Sequence, residues 1–244
     1  MMGRKYKIKY IINTFLILLL SAISFSSMSG SLEIDVTKIN PSELDSIRPK
    51  IIIQNGEARL SKVGFSTEKL VLDKPLEHSE ARKKLYENVK SMLEKNKNIL
   101  ADIEEGKIPF PNESTKSSVT EALQFNDDFL ESASDTLGSD VIDYNKLYFS
   151  TSYKGENVVI SEVKDWTALE KRSISQVMSD PDNIVNTRLN RPGAVKRASV
   201  ENGREIIRDL KKGGGEIKKV TAFMISDVLE TNYRRMGFST PNCF

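Results

Sequence analysis

The chain has 244 residues, 39% hydrophobic and 29% charged, enough for one domain or two small ones around a sizeable core. Its net charge of +2 comes from 36 basic and 34 acidic residues. Four of the basic residues, Arg4, Lys5, Lys7 and Lys9, precede residue 30; the rest of the chain holds 32 basic against 34 acidic residues, which excludes a broad basic footprint for nucleic acid. A single cysteine, Cys243, excludes an intrachain disulfide and a multi-cysteine metal site. The single histidine, His78, gives little support to a zinc site or a serine–histidine triad and reads as an exposed helix-boundary residue.

Residues 1–29 have the layout of a secretory signal. A basic stretch at 4–9 precedes an apolar run at 11–25, broken only by Asn13, Thr14, Ser21 and Ser24, and small residues at 24–29 offer cleavage sites. The run is short against the roughly 20 apolar residues of a spanning helix. Cleavage gives a secreted or periplasmic protein. Retention gives a membrane anchor with the body outside, since the basic flank stays in the cytoplasm. Membrane contact is expected only through this segment, and with no cysteine directly after it a lipoprotein is not expected.

Residues 30–49 read as a polar leader. Residues 50–54 and 57–63 form a hairpin across Asn55-Gly56, whose residues tolerate positive φ. A short strand is predicted at 69–72. A long helix follows at 79–105, with Ala81, Leu85, Val89, Met92, Leu93, Leu100 and Ile103 on one stripe. That stripe packs on the home sheet or offers a partner groove. Residues 106–117, with Pro109 and Pro111, read as a linker, and residues 118–137 as a second helix. Strands are predicted at 146–152 and 157–164 around Lys154-Gly155. A helix at 166–178 points Trp166, Leu169, Ile174 and Val177 inward, and Asp180-Pro181-Asp182 ends it. A strand at 183–189 and a helix at 194–210 follow, the latter closed by Gly213-Gly214-Gly215.

Residues 217–226 are apolar on both alternating faces, as in a strand covered by helices on both sides. Ser226 or Asp227 then caps a short helix ending Tyr233-x-x-x-Gly237-Phe238. Over about residues 183–238 this order resembles the C-terminal half of the GNAT N-acetyltransferase superfamily, whose short helix commonly reads Asn, six residues, Tyr, three residues, Gly-Phe. Ser226 stands at the Asn position and Tyr233 at the Tyr position.

The resemblance implies a mixed α/β (α+β) fold with a largely antiparallel sheet flanked by helices. It divides the chain into the signal at 1–29, a hairpin plus long helix at 30–110 and the GNAT-like domain at 111–244. It also implies acetyl-CoA as acyl donor and an amine, small molecule or protein, as acceptor. Tyr233 would protonate the departing thiolate, a role suited to a phenol that is neutral at pH 7. The donor's pyrophosphate would lie at the start of the 194–210 helix on Arg197, Ala198, Ser199 and Gly203, where amides and the helix dipole favour anions, with Ser226 nearby. The family's phosphate loop reads Gln/Arg-x-x-Gly-x-Gly/Ala; with Gly203 in the last position, Ala198 takes the first and Glu201 that of the middle glycine. The strand at 183–189 carries no carboxylate, which leaves Glu162 as general base. Two alternatives stay open: a GNAT-like fold acting as a binding module, and an unrelated secreted α/β protein that engages a partner through the 79–105 helix. The family's last strands are missing after Phe238, so the sheet edge is left open or completed by the N-terminal strands or a second chain.

Overall fold

The computed structural model describes residues 31–40, 50–54, 57–61, 64–213, 215–223, 230–231, 233–234 and 236–241. The signal segment, the Asn55-Gly56 turn, Ser226, Asp227 and Cys243 lie outside the described residues. Strand β1 (Ser31–Asp35) comes first, and β2 (Lys50–Gln54) with β3 (Glu57–Ser61) forms the expected hairpin, Gln54 paired to Glu57. Next come β4 (Ser66–Leu72), helix α1 (Glu80–Glu104) and helix α2 (Glu113–Gly138). Strands β5 (Asp143–Tyr153), β6 (Glu156–Trp166) and β7 (Lys171–Ser179) lead into helices α3 (Pro181–Arg188) and α4 (Ala198–Lys212), and β8 (Lys219–Phe223) follows. Among the described residues no helix is long and apolar enough to cross a membrane.

Six strands form one sheet in the order β1-β8-β7-β6-β5-β4, antiparallel throughout except for the parallel pair β7–β8. The fold is therefore mixed α/β: among the described residues, an open, mostly antiparallel six-stranded sheet with the four helices α1–α4. Helices α1 and α2 cover one face through Leu85, Val89, Met92, Leu130, Ala133 and Leu137, packed on Leu72, Tyr148, Ile160 and Met178. Helix α4 covers the other face, placing Ile206, Ile207 and Leu210 against Leu147, Phe149, Val163, Ile174 and Val220. The outer edge of β8 is filled from the N-terminus: β1 pairs with it from Ser31↔Phe223 to Asp35↔Lys219. Ser239 bridges back to Glu33 on the far side of β1.

Several elements differ from expectation. Residues 166–178 are not a helix: Trp166 ends β6, Leu169 sits in a 3-10 turn, and 171–179 is β7. Trp166 and Leu169 are exposed rather than inward. The cause is a bulge. Glu162 pairs with Gln176 but Val163 pairs with Ile174, so Ser175 is an extra residue in β7. Ile174 and Val177, three apart, thereby land on one face, and the strand shows helical spacing. Residues 183–189 are not a strand either. Asp180 caps α3 by accepting from the Asn183 amide at 2.9 Å, with Pro181 in the first turn. Helix α2 starts five residues earlier than expected, because Asn112 Oδ1 accepts from the Thr115 amide at 2.8 Å. The linker is correspondingly shorter.

Candidate functional site

Among the described residues the parallel β7–β8 ladder runs from Lys171↔Lys219 to Ile174↔Ala222. Beyond it, Phe223 keeps its partner Ser31 on β1, while β7 continues to Ser179 paired to β6 alone among the described residues. Directly after Ile174, the bulge residue Ser175 turns its hydroxyl to Glu162, bonding the carbonyl and Oε1, each at 3.1 Å. The strand parallel to β8 is thus 171–179, earlier in the chain than the expected 183–189.

Glu162 lies on the α1–α2 face of β6 and is 6% exposed. Tyr148 on β5 donates to its Oε2 at 2.7 Å, and the Lys146 ammonium stands 3.2 Å from the same oxygen. Burial, and then the adjacent Glu162 charge, push the Tyr148 phenol well above its ordinary range, so it is a donor at neutral pH. Gln176, opposite Glu162, leaves its buried Oε1 without a hydrogen bond. Glu162 is therefore on the strand next to β7 and tied to its bulge at Ser175.

Helix α4 begins at the same end of the sheet. Its N-cap Arg197 adopts a left-handed conformation (φ 69°) without a side-chain capping bond, and its side chain is exposed. Ser199 is half-buried, whereas Ala198 is 3% exposed and packs with Tyr153, Val158, Val159 and Val195. Gly203 does not face the helix start: a Cβ there would lie 2.7 Å from Met236 Sδ, so it is a close-packing position. Glu201 pairs with Arg204 at 2.9 Å, which offsets the carboxylate that stands at the middle-glycine position. Arg197 and Ser199 thus reach solvent at the helix start, while Ala198 and Gly203 are packing residues.

Tyr233 is 4% exposed and belongs to the core between α4 and the sheet, with Leu32, Ile34 and Phe238. Its local setting explains the Tyr-x-x-x-Gly-Phe spacing. The Phe238 amide bonds the Tyr233 carbonyl at 3.1 Å, the Gly237 amide bonds Arg234 at 3.0 Å, and Gly237 has φ +96°. This is a Schellman ending, and the Tyr233 and Phe238 rings, 5.1 Å apart, supply its usual apolar contact. Burial holds the Tyr233 phenol well above its ordinary value, so it is protonated at neutral pH.

Sequence reasoning passed over four polar residues on apolar stripes. Arg82, Asn96, Asn126 and Asn202 are all 4% exposed or less. Asn202 on α4 takes a 2.5 Å bond from Ser161 and donates to the Phe149 carbonyl and Thr151 hydroxyl, fixing the helix to β5 and β6. The available signal was spacing: Arg82, Leu85, Val89, Met92 and Asn96 share one stripe, as do Leu123, Asn126 and Leu130.

No family profile and no curated protein matches the chain. Among solved structures it is similar to the C-terminal domain (DUF2156) of a protein from Agrobacterium fabrum described as a lysylphosphatidylglycerol synthetase. That match has 10% identity, a TM-score of 0.40, and covers 84% of this chain and 50% of the other. This chain thus spans about half the length of that structure. The fold described here stands on its own strand order and register.

Proposed function

We propose that this chain is an acyltransferase of the GNAT kind, exported through residues 1–29, that moves an acetyl group from acetyl-CoA to an amine. One observation carries the reading: the buried Glu162 carboxylate is held by Tyr148, Lys146 and the bulge residue Ser175, next to the parallel β7–β8 pair. The chain's own groups suit a coenzyme A thioester. The start of α4 offers Arg197, Ser199 and first-turn amides to its phosphates. When bound, the thioester supplies an acyl carbon with a thiolate leaving group.

Glu162 accepts the proton that the acceptor amine loses as the N–C bond forms. Lys146 and Tyr148 hold its Oε2, and Ser175 bonds Oε1, whose remaining lone-pair capacity can take that proton. Tyr233 supplies a proton to sulfur as the C–S bond breaks. Orienting amine and thioester provides the larger share of the rate.

Thiol release from acetyl-CoA by the full-length chain, across a panel of amines, tests these roles. Glu162→Gln is expected to lower turnover by about 10²–10⁴-fold with little change in donor affinity. Tyr233→Phe is expected to lower turnover less, again with donor affinity kept. Wild-type turnover in either variant removes that residue from the mechanism. A second reading, a binding module without catalysis, is favoured by Gly203 lying under Met236 and by Tyr233 serving the Schellman ending. It predicts no thiol release with any amine.

A further inference from the structure

The large apolar side chains that stand exposed among the described residues all lie at one end of the sheet. Val141, Ile142 and Tyr144 are at the entry to β5, Trp166 ends β6, and Leu169 is in the turn that follows. One side chain joins the two groups. Lys164 on β6 pairs in register with Lys146 on β5, and its ammonium stands 3.4 Å from Asp143 and 5.0 Å from the centre of the Trp166 ring.

The fold holds these residues outward. Val71 on β4 pairs with Leu147, but Leu72 pairs with Asp143, so Tyr144, Asn145 and Lys146 form a bulge on β5 without partners on β4. Such a bulge re-aims side chains, and Tyr144 is turned into solvent. Arg82 pins the loop before it, Nη1 donating to the Val141 carbonyl at 2.9 Å. The turn that carries Leu169 is pinned through the Glu170 carbonyl, which accepts from the Lys218 and Lys219 amides at 2.8 and 3.1 Å. The patch is thus ordered in advance, which spares part of the cost of association.

Size and charge select what covers it. The patch exposes roughly 600 Å² of apolar side chain, the upper limit for an ordinary monomer. Two such patches face to face remove about 1,200 Å² from water, the lower limit of a specific interface. The bordering charges pair off within the chain, Lys164 with Asp143, Arg172 with Asp165 and Lys218 with Glu170. The rim therefore has no net field to repel a second copy, or to draw an anionic membrane. The apolar run at 11–25 joins the sheet through Ser31, at the opposite end: Asp35 pairs with Lys219, Lys219 with Lys171 and Lys171 with Trp166, whereas Ser31 pairs with Phe223.

We propose that this patch is the contact between two copies of the chain, which meet about a two-fold axis so that Tyr144, Trp166 and Leu169 of each cover those of the other.

Trp166 is the single tryptophan of the chain, so its fluorescence reports on the patch alone. The test follows sedimentation and tryptophan emission of the full-length chain over one concentration series. A monomer–dimer equilibrium is expected with a dissociation constant of about 10 µM, as suits a small interface. Along the same curve the emission shifts to the blue and iodide quenching is lost. Tyr144→Glu combined with Leu169→Glu changes positions 70% and 66% exposed, so Tm is kept. Like charges then face each other across the axis, which weakens the dimer by about a hundredfold or more. A wild type that stays monomeric overturns the proposal, as does a dimer that survives the double substitution or forms without a change in Trp166 emission. A blue shift that appears only with phosphatidylglycerol vesicles gives the patch to a membrane and also overturns it. If the double variant does not fold, the wild-type emission curve decides.

Discussion

Arg82→Met is expected to destabilise the protein by about 5 kcal/mol, comparable to the whole stability of many domains. Arg82 is 0% exposed and spends its donors on five carbonyls. Nε bonds Leu137 at 2.9 Å, Nη1 bonds Lys74 at 2.7 Å and Val141 at 2.9 Å, and Nη2 bonds Thr136 at 2.9 Å and Ser139 at 2.6 Å. Three of these belong to the end of α2, where helix carbonyls have no partner within the helix. The guanidinium therefore acts as a C-cap supplied by the neighbouring helix, and it ties α1 to the loop that enters β5. Methionine would fill much of the space but leave those acceptors buried and unpaired. Lysine would not rescue them, since one ammonium cannot reproduce the planar fork. Urea unfolding is the measurement: the midpoint should collapse, or the variant should fail to accumulate as folded protein. A change below about 1 kcal/mol would mean the carbonyls find other partners.

Arg172→Met is expected to cost about 3–5 kcal/mol, as when one member of a buried ion pair is removed. Arg172 is 3% exposed, forks onto Asp165 at 2.5 and 2.8 Å, and reaches Asp209 at 2.9 Å. Lys69 bonds both oxygens of Asp209 at 2.8 Å, so β4, β6, β7 and α4 meet in one network under α4. Both carboxylates keep some solvent contact, which places the cost toward the lower end of that range. Burial works to raise the Asp209 carboxyl, but the hydrogen bonds from Lys69 and Arg172 outweigh it and hold it below its ordinary value. A depressed carboxylate contributes stability that is present above its unfolded value, near 4, and is lost as the pH falls through the folded one. Stability measured from neutral pH downward should therefore fall below about pH 4 in the wild type, and this component should be smaller in Arg172→Met. Equal acid sensitivity in the two proteins would show that the network carries no linkage.

Much of the fold was legible in the sequence because local chemistry and tertiary role agree there. Ser79 caps α1 by accepting from the Arg82 amide, Lys154-Gly155 makes a turn with both residues at positive φ, and the 50–61 hairpin closes on two residues. The doubly apolar stretch does supply an inner strand, β8, with Val220 and Ala222 buried on one face and Thr221 on the other, but its neighbours are β7 and β1 rather than a strand at 183–189. The failures share a cause. In β7 the Ser175 bulge shifts the alternation by one and creates a helix-like spacing, so the strand next to the candidate site was the one misread. In α3 the Asp180-Pro181 pair reads locally as an ending, whereas it begins the helix, with Asp180 as N-cap and Pro181 in the first turn.

The candidate site was less legible than the fold. In the sequence Glu162 stands out only because the 183–189 segment lacks a carboxylate, and its setting against Tyr148, Lys146 and Ser175 depends on register across three strands. Tyr233 was picked by spacing, and its spacing has a local cause in the helix ending. Asn126 carried one signal, a polar residue on an apolar stripe, which is ordinarily a solvated position and here marks a buried grip on the sheet.

Binding of an acyl-CoA beside Glu162 and the start of α4 is tested most directly by thermal unfolding of the full-length chain with increasing acetyl-CoA. Binding to the folded state alone predicts a midpoint that rises with concentration, reaching about 2.7 kcal/mol of stabilisation at one hundred times the dissociation constant. A midpoint that stays fixed up to millimolar acetyl-CoA would contradict it.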